Sequence, residues 1–158
     1  MSNSDQDWDQ QRPFTMQFSA AEADCDRLGH VNNASYLRWM EATSWAHIEP
    51  LGMDWATHET TGRAMAIVRT EIDYLASAYA GDDIVVGTWI TASDGKLTSE
   101  RRFQIKRASD GKTLSRALCR YACIDLQTGR PKRMPEQFKQ AHELAISAHA
   151  GELNDERP

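Results

Sequence analysis

Two carboxylates, a glycine, a histidine and two asparagines gather in Asp24-Cys25-Asp26-Arg27-Leu28-Gly29-His30-Val31-Asn32-Asn33-Ala34-Ser35-Tyr36, just ahead of a long amphipathic segment. Asparagine is a favoured N-cap, so a helix is expected to start near Asn33. An acid therefore stands beside a helix N-terminus, whose first backbone N–H groups have no partner inside the helix. The helix dipole adds positive potential at the same place. A carboxylate beside donors that can hold developing negative charge is the minimum equipment for attack on a carbonyl. On residue types alone the competing reading is structural: the acids cap a turn, the asparagines cap the helix, and His30 is an inert loop residue.

Other chemistries find little support. No G-x-S-x-G elbow and no glycine-rich phosphate loop occurs. His58-Glu59 and His142-Glu143 each begin like a zinc-protease helix motif, but the second histidine is missing. Cys119 and Cys123 fall on one face of a strand and read as core residues. No metal and no cofactor is expected. Three cysteines in a chain with a polar, acidic start suggest reduced thiols and a cytoplasmic location. A net charge of −5 over 158 residues argues against nucleic acid as the main partner, and no apolar run is long enough to span a bilayer. Basic residues cluster in Arg101-Arg102, Lys106-Arg107 and Arg130-Pro131-Lys132-Arg133. They are candidate phosphate contacts, set against the plainer reading of a solvated strand face.

The elements that must position these residues follow from periodicity. Residues 1–12 read as a flexible tail, 13–140 as one globular domain, and 141–158 as the end of a terminal helix and a tail. Pro13 to Ala20 alternates as a strand. The helix from about Asn33 to Glu49 carries Leu37, Met40, Ser44 and His47 on one face, and Pro50-Leu51-Gly52 stops it. A short turn or helix at 53–60 comes next. Strands then follow at about 66–75, 84–92, 97–107 and 113–126, joined by Gly81-Asp82-Asp83, Ser93-Asp94-Gly95 and Ser109-Asp110-Gly111 turns. On the third of these, Leu97, Phe103 and Ile105 share one face and Arg102, Gln104 and Lys106 the other. One long helix, apolar on more than one face, with an antiparallel sheet is an α+β arrangement in which the sheet wraps the helix.

Asp24-x-Asp26-x-x-Gly29-x-Val31-x-x-x-x-Tyr36 resembles the signature of the 4-hydroxybenzoyl-CoA thioesterase family of hotdog-fold proteins. The His30-Val31-Asn32-Asn33 insert is more similar to acyl-carrier-protein thioesterases and bacterial acyl-CoA thioesterases. Arg69-Thr70-Glu71-Ile72-Asp73-Tyr74-Leu75, Ala80-Gly81-Asp82, Thr128-Gly129-Arg130-Pro131 and Met134-Pro135 extend the resemblance over about residues 14 to 140.

The resemblance implies a hotdog thioesterase that hydrolyses an acyl-CoA or acyl-carrier-protein thioester. It would work as a homodimer or homotetramer with sites at subunit interfaces. Asp26 takes the place of the catalytic carboxylate, activating a water or attacking the thioester itself. Backbone N–H groups near Asn33 and Ala34 would hold the thioester oxygen. Gly29 would free the turn, and His30 would orient water or the carbonyl. Asn32, Arg101, Arg102, Arg130 and Lys132 would contact substrate. The run from His30 to Asn33 departs from the aromatic residues of the 4-hydroxybenzoyl type, which puts an aromatic acyl group in doubt. Two other readings stay open: a hotdog hydratase or dehydratase pairing Asp26 with His30, and a non-catalytic module that binds acyl thioesters.

Overall fold

The computed structural model describes residues 8–151. Along the chain run β1 (Phe14–Ser19), α1 (Asn33–Ile48), α2 (Trp55–Thr61), β2 (Arg63–Tyr74), β3 (Asp83–Ser93), β4 (Thr98–Arg107), β5 (Thr113–Asp125) and α3 (Glu136–Ala150). The strands form one sheet in the order β1-β3-β4-β5-β2, with every neighbour antiparallel. β1 and β2 are therefore the two edges. α1 touches both: Trp39 stacks on Phe18 of β1, with ring centroids 6.0 Å apart. Tyr36 meets Tyr74 of β2 edge-on at 5.4 Å. One helix can reach both edges only if the sheet curls round it. This is the expected α+β hotdog arrangement.

The buried stripe of α1 is Tyr36, Trp39, Met40, Thr43 and His47. That differs from the face read off the sequence, because Leu37 is 44 % exposed and Ser44 only half-buried. The aromatic residues need the most apolar cover, and they set which side turns to the sheet. A second departure lies in β2, where the register against β5 shifts between Ile67 and Arg69. The bulge breaks simple alternation and leaves Ile67 and Val68 exposed in mid-edge.

The expected solvent face of β4 is covered at Gln104 and Lys106, while Arg102 stays exposed. Gln104 and Lys106 are each 1 % exposed, because residues Trp8 to Arg12 lie across that side of the sheet. The Lys106 ammonium sits 4.4 Å from the centre of the Trp8 ring. The Asp9 amide donates to Gln104 Oε1 at 2.8 Å. Trp89 Nε1 donates to the Gln11 carbonyl at 2.9 Å. This corrects the reading of residues 1–12 as a flexible tail for its described part; residues 1–7 and 152–158 lie outside the described residues. The boundary at 140 is corrected too. α3 runs straight through it, and Phe138, Ala141, His142 and Ala145 are all buried.

Gly87 shows how closely the strap packs. A Cβ built there would lie 2.6 Å from Trp8 Cζ3. Gly87→Ala is expected to displace the indole and cost about 1–3 kcal/mol in urea unfolding. The same change in a Trp8→Ala background is expected to cost far less, because the two sites are in contact.

Candidate active site

After β1 the chain makes a short 3-10 turn at Glu22–Asp24 and a tighter turn from Asp26 to Gly29. The Asp26 amide donates to the His30 carbonyl at 2.8 Å, and the Gly29 amide to the Asp26 carbonyl at 3.1 Å. Gly29 has φ +81°, a conformation that a side chain would strain. The loop is fixed to its surroundings on both sides. The Val31 amide donates to the Ala78 carbonyl at 2.8 Å, and the Asn32 amide to the Asp24 carbonyl at 2.6 Å. Its catalytic candidate is therefore held against the start of α1.

The two acids have different fates. Asp24 Oδ2 accepts from the Ala21 amide at 2.9 Å, while Oδ1 lies 3.6 Å from Arg38 and 3.4 Å from Ser35 Oγ. It is tied into the scaffold. Asp26 is exposed, and its Oδ1 accepts from the Leu28 amide at 2.8 Å and the His30 amide at 3.4 Å. Among the described residues, Oδ2 has no partner. Turn-capping and reactivity therefore share one carboxylate: one oxygen holds the turn and the other is open.

His30 touches Asp26 only through its backbone. Its ring packs edge-on against Tyr79, with centroids 5.3 Å apart. Asn32 is the N-cap, its Oδ1 accepting from the Ala34 amide at 3.0 Å. This corrects the expected anion hole, because the Ala34 amide already has a partner. The Asn33 amide has none among the described residues and remains open.

Below it, a cavity of about 440 Å³ separates part of α1 from the sheet. The cavity wall on α1 is Leu37, Met40, Glu41, Ser44, Trp45 and Ile48, with Leu37, Glu41, Ser44 and Ile48 along one stripe. Asn33 continues this stripe at helical spacing, so the open amide heads the face that descends into the cavity. Asp26 does not line the cavity within one chain. Glu41, a carboxylate on its wall, had escaped notice in the sequence. The i, i+4, i+7 stripe through Leu37 was the available signal.

The basic residues do not form one cluster. Arg101 and Arg102 occupy opposite faces of β4, and Arg101 is 4 % exposed and lines the cavity. Joint phosphate binding by the pair is therefore corrected by strand alternation. Arg102 is half-exposed and lies 3.9 Å from Glu100. Arg130 and Lys132 sit beyond the far end of β5, where Lys132 lies 3.3 Å from Asp125. β5 pairs with β2 from Arg63 opposite Asp125 to Tyr74 opposite Ser115. The Asp26 loop is at the Tyr74–Ala78 end, roughly 35 Å of strand away.

The Thioesterase-like superfamily model matches residues 22–142. The chain belongs to that superfamily. The long-chain acyl-CoA thioesterase FadM of Escherichia coli (strain K12) is 26 % identical over 122 residues, covering 77 % of this chain and 90 % of that protein. YneP of Bacillus subtilis (strain 168), whose name assigns it acyl-CoA thioesterase activity provisionally, is 29 % identical over 120 residues, covering 76 % and 86 %. The same fold is seen in Slr0204, a 1,4-dihydroxy-2-naphthoyl-CoA thioesterase from Synechocystis. The TM-score is 0.74 at 23 % identity, covering 83 % of this chain and 96 % of that one.

In this thioesterase-like chain two measurements probe the scaffold of the site. Asn32→Ala should destabilise the protein by about 1 kcal/mol in urea unfolding, with Asn32→Asp close to wild type. The second concerns His47 behind the cavity. Burial, and then the charge of Arg101, push its pKa from 6.5 down to about 3. The unfolded chain thus takes up a proton below about 6.5 that the folded chain refuses until near 3. The associated stability is fully present above that window and is lost as pH falls through it. His47→Gln, which keeps an acceptor for Arg101, should flatten the fall in unfolding free energy between pH 7 and 5 by up to ~1.4 kcal/mol per pH unit. Equal slopes would refute the assignment.

Proposed function

We propose that the chain hydrolyses acyl-coenzyme A thioesters to a carboxylic acid and free coenzyme A, with Asp26 as the catalytic carboxylate. The observation that carries this reading is the open Oδ2 of Asp26, in a loop bonded to the start of α1 beside the open Asn33 amide. Membership of the thioesterase-like superfamily supports the same chemistry. The acyl chain enters the cavity below Asn33, and the Asn33 amide donates to the thioester oxygen as it becomes an oxyanion. Asp26 takes a proton from a water as that water attacks the carbonyl carbon. The carbon–sulfur bond then breaks, the coenzyme leaves as its thiolate, and the proton returns to it. No step calls for a metal or cofactor.

The working unit is a pair of chains. β2 is a free sheet edge among the described residues, with Ile67 56 % and Val68 64 % exposed at its middle. Such an edge is covered by pairing with a second copy. An antiparallel two-fold pairing centred near Val68 sets the Arg63 end of one chain beside the Tyr74 end of the other. Arg130 and Lys132 of one copy then approach the Asp26 loop of the other, where the coenzyme phosphates need cations. This arrangement explains why Asp26, Asn32, Asn33 and Ala34 are all exposed in a single chain. The hydratase alternative needs Asp26 and the His30 ring to act together, and the ring is turned to Tyr79.

A thiol-release assay over an acyl-CoA panel tests the reading. Asp26→Asn should lower kcat at least ~100-fold with an unchanged melting temperature. Glu41→Gln should stay within a few-fold of wild type. Full activity in Asp26→Asn would sink the mechanism.

A further inference from the structure

We infer that the buried end of the cavity is an anion subsite built on Arg101, and that it selects acyl groups whose far end carries a carboxylate. The inference rests on the thioester reading above but concerns what the acyl group is.

Arg101 faces α1 from β4 and lines the cavity. Its Nη1 donates to His47 Nδ1 at 2.9 Å and to Thr88 Oγ1 at 3.1 Å. An arginine can only donate, so Nδ1 of His47 is the unprotonated nitrogen and the ring is neutral. The Thr88 hydroxyl gives its own proton to the Arg102 carbonyl at 2.9 Å, leaving a lone pair for Arg101. Tyr121 lies beside both Arg101 and Ser44, and Cys119 is a further neighbour. All of these partners are neutral.

No carboxylate lies within 4 Å of Arg101 among the described residues. Glu100 is next to it in sequence and also lines the cavity, but its carboxylate is held by other partners. It accepts from Thr91 Oγ1 at 2.7 Å and lies 3.9 Å from each of Arg102 and Arg120. Glu41 stands on the exposed wall of α1 and is not paired with Arg101. The charge is also felt by the neighbouring histidines. Burial first, then Arg101, depress His142 to about 4, and the same two influences lower His149. His47 and His142 are therefore neutral at pH 7.

A guanidinium taken out of water without a counter-charge is a heavy cost to folding. A methionine or leucine would fill the same place in a cavity meant only for an alkyl chain. The guanidinium has five N–H donors; the bonds to His47 and Thr88 both leave from Nη1, and Tyr121 is its one further polar partner among the described residues, so donors remain over. An alkyl end would set the remaining donors against hydrocarbon. A carboxylate would accept them in a fork and neutralise the charge. The substrate class is thus the mono-coenzyme A thioester of a dicarboxylic acid, and the product is a free dicarboxylate.

The test compares straight-chain acyl-CoA esters with ω-carboxyacyl-CoA esters of the same lengths. It reads kcat/KM in the wild-type protein and Kd by calorimetry in the Asp26→Asn protein. The ω-carboxyl series should lead by at least ~10-fold in both at the best length. Arg101→Met should abolish that ratio, and Arg101→Lys should retain part of it. If Arg101→Met fails to fold, the wild-type comparison decides alone. Equal or better binding and turnover of the methyl-ended series overturns the subsite and leaves thioester hydrolysis standing. A carboxylate preference in Kd with no turnover of any ester overturns hydrolysis and leaves the subsite standing.

Discussion

The burial of one side of α1 by a curled sheet is the constraint from which the other features follow. Tyr36 and Trp39 anchor the first turns of the helix to opposite sheet edges. The Tyr36 hydroxyl also accepts from the Ala78 amide at 3.1 Å, which fixes the segment after β2 against the helix. The same segment bonds to Val31 and pairs with His30. The Asp26 loop is thus held between the helix start and the entry to β3. The side of the helix through Leu37, Ser44 and Trp45 is covered less closely by the sheet and lines the cavity. The cavity is a consequence of how the helix is rolled.

The polar interior of that cavity follows a different rule. A buried ionised group persists when every nearby donor and acceptor is arranged around it. Around Arg101 the arrangement is strict: one histidine tautomer, one threonine hydroxyl orientation, and a tyrosine between Ser44 and the guanidinium. Among the described residues, no carboxylate pairs with the guanidinium. On the proposed reading, the open carboxylate of Asp26 serves the thioester end of an elongated substrate and the buried cation serves the other.

Much of this was legible in the sequence, and the failures have identifiable physical causes. The loop, the helix start at Asn33, the antiparallel strands and the core positions of Cys119 and Cys123 follow from local chemistry and periodicity. The roll of α1 did not, because Leu37 and Trp39 are both apolar and only tertiary contacts choose between them. Val68 defeated simple alternation through a bulge. Gln104 and Lys106 read as solvent-facing because a strand pattern cannot show that Trp8 returns to cover them. Arg101 and Arg102 looked like one basic cluster, although successive strand residues point to opposite faces. Neither the Ala34 amide's engagement by Asn32 nor the open Asn33 amide beside it can be read without coordinates.

The proposed site joins a carboxylate held at a turn, an open amide at a helix start and the cavity below that helix start. The most direct test is a crystal structure of the Asp26→Asn protein with an uncleaved acyl-CoA. The thioester carbonyl carbon should lie within about 3.5 Å of the residue-26 side chain, with its oxygen on the Asn33 amide and the acyl chain between α1 and the sheet. A thioester seated instead against Glu41 or Ser44, or an acyl chain outside the cavity, would contradict it.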